Sequence, residues 1–142
     1  HDAIRKKLRK VGPGGATNLH AGWAAGCDHV ADGRSERAIS RVLLLTDGAA
    51  NVGVTDPKKL AEKAREWAAR GVSTTTLGFG RDFEEDLLLK MAEASGGNFY
   101  YIETPDDACQ VFQIEGETLT SVAVRNLVVT LRPAAGSGVV VR

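Results

Sequence analysis

At 142 residues the chain suits one domain with a core of useful size and is short for two. Eighteen Lys and Arg against eighteen Asp and Glu leave no field of one sign to gather nucleic acid or an anionic membrane surface. No apolar run approaches the length that crosses a bilayer, the opening HDAIRKKLRK lacks the apolar segment of a secretory signal, and Cys27 and Cys109 lack metal or redox spacing, so they read as packed thiols.

Taken in order, Asp2 to Val11 places Ile4, Leu8 and Val11 at helical spacing with five basic residues between them, an amphipathic helix whose charges read as a solvated face. Gly12 to Thr17 breaks it. Leu19, Trp23, Gly26, Cys27 and Val30 then resume a helical stripe, with Thr17 or Asn18 as its N-cap. The loop lacks the Gly-Lys-Ser/Thr ending of a P-loop, and Thr17 stands where a dinucleotide fingerprint needs its third glycine, so a nucleotide site is not expected. Gly22 and Gly26 are expected to let this helix approach the sheet closely. Ala31 to Ala38 is a polar connection.

The run Arg41 to Gly53, RVLLLTDGAANVG, is the centre of the pattern. Val42 to Leu45 is uniformly apolar, the composition of a central parallel strand buried on both faces, and it ends abruptly in Asp47-Gly48. In open α/β sheets ligands bind beyond the carboxyl ends of the strands, which makes Asp47 the first candidate for binding chemistry. Asp56-Pro57 is an N-cap followed by proline at the first helical position, and Leu60, Ala64, Trp67 and Ala68 line that helix up to Gly71. Val72 to Phe79 reads as a second inner strand. Asp82 with Glu85 resembles a capping box for a helix carrying Leu87, Leu88, Met91 and Ala92 and ending at Gly96-Gly97.

Asn98 to Ile102 is a third strand, and Thr104-Pro105-Asp106-Asp107 starts a helix whose buried face opens with Ala108, Val111 and Phe112. From Arg125 the period changes to alternation, Leu127, Val129 and Leu131 against Asn126, Val128 and Thr130, and Val139 to Val141 follows a break at Pro133 to Gly138. This tail reads as the beginning of an antiparallel element. The alternation of strands and helices before it implies βαβ units with right-handed crossovers and a parallel sheet covered by helices. Three such strands leave the apolar one at Val42 short of a neighbour.

The segments GPGGATNL, RVLLLTDGAANVG and GVSTTTLGFGRDFEEDLLLKMAEASGGNFYYI together resemble the von Willebrand factor type A domain, in a bacterial form, from about Ile4 to about Glu117. The resemblance implies a doubly wound, Rossmann-like and mostly parallel sheet with helices on both faces. It also implies a metal-ion-dependent adhesion site built from three loops at the carboxyl edge. Thr17 matches the threonine of the family's Gly-Gly-x-Thr loop and Asp47 the aspartate of its Thr-Asp-Gly, so the implied metal ligands here are the Thr17 hydroxyl and the Asp47 carboxylate. Such oxygen donors suit magnesium, with manganese or calcium as substitutes.

The third loop of the family, Asp-x-Ser-x-Ser, does not occur in these residues, so the family's first strands and the other ligands are expected upstream of His1. The reading is a partial domain over residues 1–123 followed by the start of a β-rich segment over 124–142. With about six oxygens required around magnesium, two side chains predict weak or absent binding by this stretch alone.

The function that follows is a protein-interaction module, not an enzyme, whose intact form grips an acidic residue of a partner protein through the ion. Neither nucleic acid nor membrane insertion is expected. Self-association, or pairing with the missing N-terminal strands, is expected at the open sheet edge. Two rival readings are an enzyme using Asp47 with His20 or His29, and a metal-independent assembly domain. His20, Cys27 and His29 lie close in sequence, but their spacings match no common zinc motif.

Overall fold

The computed structural model describes residues 2–10, 12, 15–33 and 39–121, so the expected antiparallel tail lies outside the described residues. Eight elements follow in the order α1 (Asp2–Leu8), α2 (Leu19–Asp32), β1 (Ser40–Thr46), α3 (Pro57–Ala69), β2 (Val72–Phe79), α4 (Glu85–Ser95), β3 (Phe99–Ile102) and α5 (Pro105–Ser121). The three strands form one parallel sheet in the order β1-β2-β3, with Leu45 opposite Leu77 and Leu77 opposite Tyr100.

Side-chain alternation divides the sheet into two apolar faces. On one, Val42 and Leu44 pack with Leu19, Trp23 and Cys27 of α2, Leu60 and Ala64 of α3, and Leu87, Leu88 and Met91 of α4. On the other, Leu43, Leu77, Phe79, Tyr100 and Ile102 meet Ala108 and Val111 of α5. Each fully buried large side chain contributes about 1.5–3 kcal/mol, so the three-helix face is where most of the apolar stabilisation gathers. The α2, α3 and α4 stripes read from the sequence are therefore the core.

Local chemistry sets the element ends. The Asp56 carboxylate accepts from the Lys58 and Lys59 amides at 2.8 and 3.1 Å, and Pro57 occupies the first turn of α3, where a missing N–H costs nothing. These amide bonds hold the Asp56 carboxyl below its ordinary range. Gly96 takes φ +73° to close α4. Gly97 packs so tightly that a Cβ there would lie 1.9 Å from the Thr74 carbonyl oxygen. At α5 the Thr104 N–H and hydroxyl both donate to Asp107, and Asp107 N–H donates back to the Thr104 hydroxyl, a reciprocal cap.

Several expectations are corrected. The apolar strand β1 stands at an edge, as its missing neighbour implied: among the described residues β2 is the middle strand and β1 pairs only with β2; what is corrected is its burial, since Val42 to Leu44 are half-buried and Leu45 is 43% exposed. Its composition reflects two apolar faces, while the neighbour on its outer edge is absent from the described sheet. The capping box at Asp82 and Glu85 does not form, because α4 begins at Glu85 with Glu84 at the cap and no side-chain cap bond, leaving Asp82 outside the helix and Glu85 one residue in. Gly22 meets nothing within 4 Å of an added Cβ, and Gly26 meets only Val42 at 3.6 Å, so neither glycine is demanded by close packing.

Phe112 is 43% exposed, and the buried face of α5 is completed by Glu115 instead. Cys109 is exposed, whereas Cys27 is buried as expected; burial pushes its thiol up to about 11, against a hydrogen bond with Thr74 that lowers it. The basic residues of α1 and its following turn are exposed, as a solvated face requires.

Candidate functional site

Thr17 and Asp47 are 30 residues apart in the chain and line the same open crevice at the carboxyl end of β1. Its volume is about 410 Å³, and Leu19, Gly22 and Trp23 form one wall with Leu44, Leu45 and Thr46 forming the other. The crevice thus lies between the first turns of α2 and the strand end, the place the parallel topology assigns to ligands. A larger groove of about 580 Å³ runs between α3 and α4, but Lys58, Glu62, Arg65, Lys90 and Glu93 give it mixed charge and no converging donor set.

Each side of the crevice is held by its own local bonds. Asn18, not Thr17, caps α2: its Oδ1 accepts from the Ala21 amide at 3.0 Å. That releases the Thr17 side chain from capping, and no hydrogen bond to the Thr17 hydroxyl exists among the described residues. Beyond β1, the Thr46 hydroxyl donates to the Gly48 carbonyl at 2.9 Å and tightens the turn around Asp47. Asp47 is exposed, and its carboxylate likewise has no hydrogen-bond partner among the described residues.

Two free oxygen-bearing side chains converging on one crevice fit a hard divalent cation in kind. They do not complete a coordination sphere, and no group of three or more His, Cys, Asp or Glu able to hold a metal is present among the described residues. His20, Cys27 and His29 therefore do not assemble a zinc centre: Cys27 is buried, His29 is exposed, and His20 packs its ring edgewise on Trp23 at 6.3 Å between centroids. Among the described residues Asp47 is the carboxylate of the crevice lining, and no second one joins it there.

The structure also assembles a polar centre that sequence reasoning missed. Glu115 is 1% exposed on the inner face of α5. It accepts from Arg41 Nη1 at 2.8 Å, Thr75 Oγ1 at 3.1 Å, Asn98 Nδ2 at 2.7 Å and Tyr100 Oη at 3.0 Å. Burial by itself would raise its carboxyl, but the donated bonds from Asn98 and Arg41, the Arg41 charge and the Tyr100 hydroxyl outweigh that and hold it below the ordinary range. The same environment raises the Tyr100 phenol, through burial first and the adjacent carboxylate second. Position 115 lies four and seven residues after Val111 and Ala108, so the helical period alone marked it as inward.

A doubly wound α/β domain with an oxygen-donor crevice at its strand ends is the class defined by these features. The von Willebrand factor type A domain model matches residues 1–114, and the chain belongs to that family, one of adhesion and protein-interaction modules. It is 33% identical over 102 residues to the uncharacterized protein YfbK of Escherichia coli (strain K12), covering 71% of this chain and 18% of that protein. It is 30% identical over 141 residues to the uncharacterized protein sll0103 of Synechocystis sp., covering 97% of this chain and 33% of that one. The chain thus spans a third or less of the length of these curated relatives.

Among solved structures, proximal thread matrix protein 1 from the mussel byssus superposes with a TM-score of 0.62 at 22% identity, over 83% of this chain and 29% of that one. Another structure of that mussel protein, described as having a zinc-occupied metal-ion-dependent adhesion site motif, superposes with a TM-score of 0.54 at 21% identity, over 80% of this chain and 29% of that one. At these identities the likeness is one of fold.

Proposed function

We propose that the chain is a protein-interaction module in which Thr17 and Asp47 are two ligands of a divalent-cation site that receives an acidic residue of a partner protein. The observation that carries this reading is their shared place: the two residues implied by the family motifs line a single crevice, and neither side chain has a hydrogen-bond partner among the described residues. The zinc-occupied site of the mussel byssus protein supports the same chemistry on the same fold. A divalent cation held there supplies an electrophilic point for a carboxylate oxygen. The chain's own part is to present two hard oxygens and to seat the partner against Leu45 and the α2 N-terminus.

Two ligands leave most of an octahedron to water, so the expected affinity for magnesium or manganese is on the order of millimolar. Nuclear magnetic resonance with added manganese tests this. Paramagnetic broadening centred on Thr17 and Asp47, abolished by Asp47→Ala with the fold intact, supports the assignment. Broadening that ignores Asp47→Ala overturns it.

A second reading, assembly through the sheet, is favoured by one specific observation. The outer edge of β1 has no strand partner among the described residues, although Leu43 and Leu45 lie on one of its faces and Val42 and Leu44 on the other. Such an edge recruits another strand, and a further copy of this chain would supply one. Light scattering with and without magnesium separates the readings: dimers independent of the ion favour edge pairing, and a monomer under both conditions removes it.

A further inference from the structure

We infer that Asn51, with Gly53 behind it, is a positioning residue that sets the Thr17 hydroxyl against the Asp47 carboxylate. The inference rests on the metal reading above for its purpose, while its geometry stands independently.

The two loops that carry Thr17 and Asp47 are joined by a short clasp. Asn51 Oδ1 accepts from the Thr17 amide at 2.8 Å. In return the Asn51 and Val52 amides donate to the Thr17 carbonyl at 3.1 and 3.2 Å. Both backbone polar groups of Thr17 are therefore engaged by one dipeptide 34 residues away in sequence. The clasp takes only backbone atoms from Thr17, which leaves its hydroxyl available to the crevice. On the other side, Asn51 is four residues beyond Asp47, whose own turn is tightened by the bond from the Thr46 hydroxyl to the Gly48 carbonyl at 2.9 Å.

Gly53 completes the device. It adopts φ +79°, and a Cβ there would fall 2.7 Å from Asn18 Oδ1, the atom that caps α2. Only glycine turns under the cap without displacing it. The segment Asn51-Val52-Gly53 thus registers the Thr17-Asn18 pair twice, once by hydrogen bonds and once by close approach. Asn51 itself is exposed and contributes no core, so its removal leaves the rest of the packing in place.

The test uses the full chain with Asn51→Leu, which removes the acceptor, and Asn51→Asp, which keeps an oxygen at that position. Amide hydrogen exchange at Thr17 is expected to accelerate about tenfold in Asn51→Leu and to return to near the original rate in Asn51→Asp. With manganese, Asn51→Leu is expected to keep broadening at Asp47 while losing it at Thr17, with the thermal midpoint held within a few degrees. A merely structural role moves the midpoint and leaves that ratio unchanged.

Unchanged Thr17 exchange in Asn51→Leu overturns the clasp, as does manganese broadening that stays equal at both residues. If the unsubstituted chain shows no broadening at either residue, the metal reading fails, and the exchange measurement still decides whether Asn51 holds Thr17.

Discussion

Replacing Glu115 by alanine is the most direct probe of how α5 is held to the sheet. The substitution removes the acceptor of four donors and strands the Arg41 guanidinium, whose side chain is 11% exposed. Breaking a buried ion pair from one side costs about 3–5 kcal/mol. Here the lower half of that range applies, because Arg41 still reaches Ser73 Oγ at 3.0 Å and the Gly96 carbonyl at 3.3 Å, and the Thr75 and Tyr100 hydroxyls can rotate. A loss of about 3 kcal/mol, with a urea slope of about 1.5–2 kcal/mol/M, lowers the unfolding midpoint by about 1.5–2 M.

Glu115→Gln is milder, about 1–3 kcal/mol, since its amide nitrogen must face two groups that donate to the carboxylate in the native chain. Urea unfolding of both variants, with Arg41→Ala and the double substitution, closes a cycle. A coupling energy below about 0.5 kcal/mol between Arg41 and Glu115 refutes the reasoning. The pH dependence carries a further sign. The folded carboxyl of Glu115 lies below its ordinary 4.5, so its contribution is complete above that value and is lost as pH falls through the folded pKa. The stability difference between the native chain and Glu115→Gln is therefore flat near neutrality and shrinks below pH 4.5.

The glycines give two opposed expectations, both read by thermal or urea unfolding. Gly22→Ala, within α2 where an added Cβ meets nothing, stabilises by about 0.5–1 kcal/mol through helix propensity; a destabilised variant shows that the open space assigned to this position is wrong. Gly97→Ala drives a methyl into the Thr74 backbone at 1.9 Å and forces the strand or the helix end to move, so it destabilises more than Gly96→Ala, whose cost is the left-handed φ of +73°, about 1–2 kcal/mol, in open space. Equal effects at the two positions contradict the contact.

Much of the architecture was legible because it rests on local chemistry. The Asp56-Pro57 start, the Gly96 stop, the β-branched run Val72 to Phe79 and the Leu87-Leu88-Met91-Ala92 stripe each announce an element through caps and periodicity within a few residues. The pairing of Thr17 and Asp47 was legible only through the family motifs, since residues 30 apart in the chain carry no local sign of proximity.

By itself, then, the sequence determined the order of strands and helices and the apolar stripes. Three matters belonged to the tertiary structure. The half-exposure of the apolar β1, with Leu45 43% exposed, depended on which strands are present to pair with it and cover it, a property of the whole sheet and not of its composition. Glu115 became a buried anion because Arg41, Thr75, Asn98 and Tyr100, spread over three strands and a loop, converge on one helix position and offset its desolvation. Asn51 became a clasp because hydrogen bonds across 34 residues exist only once both loops are placed by the sheet beneath them.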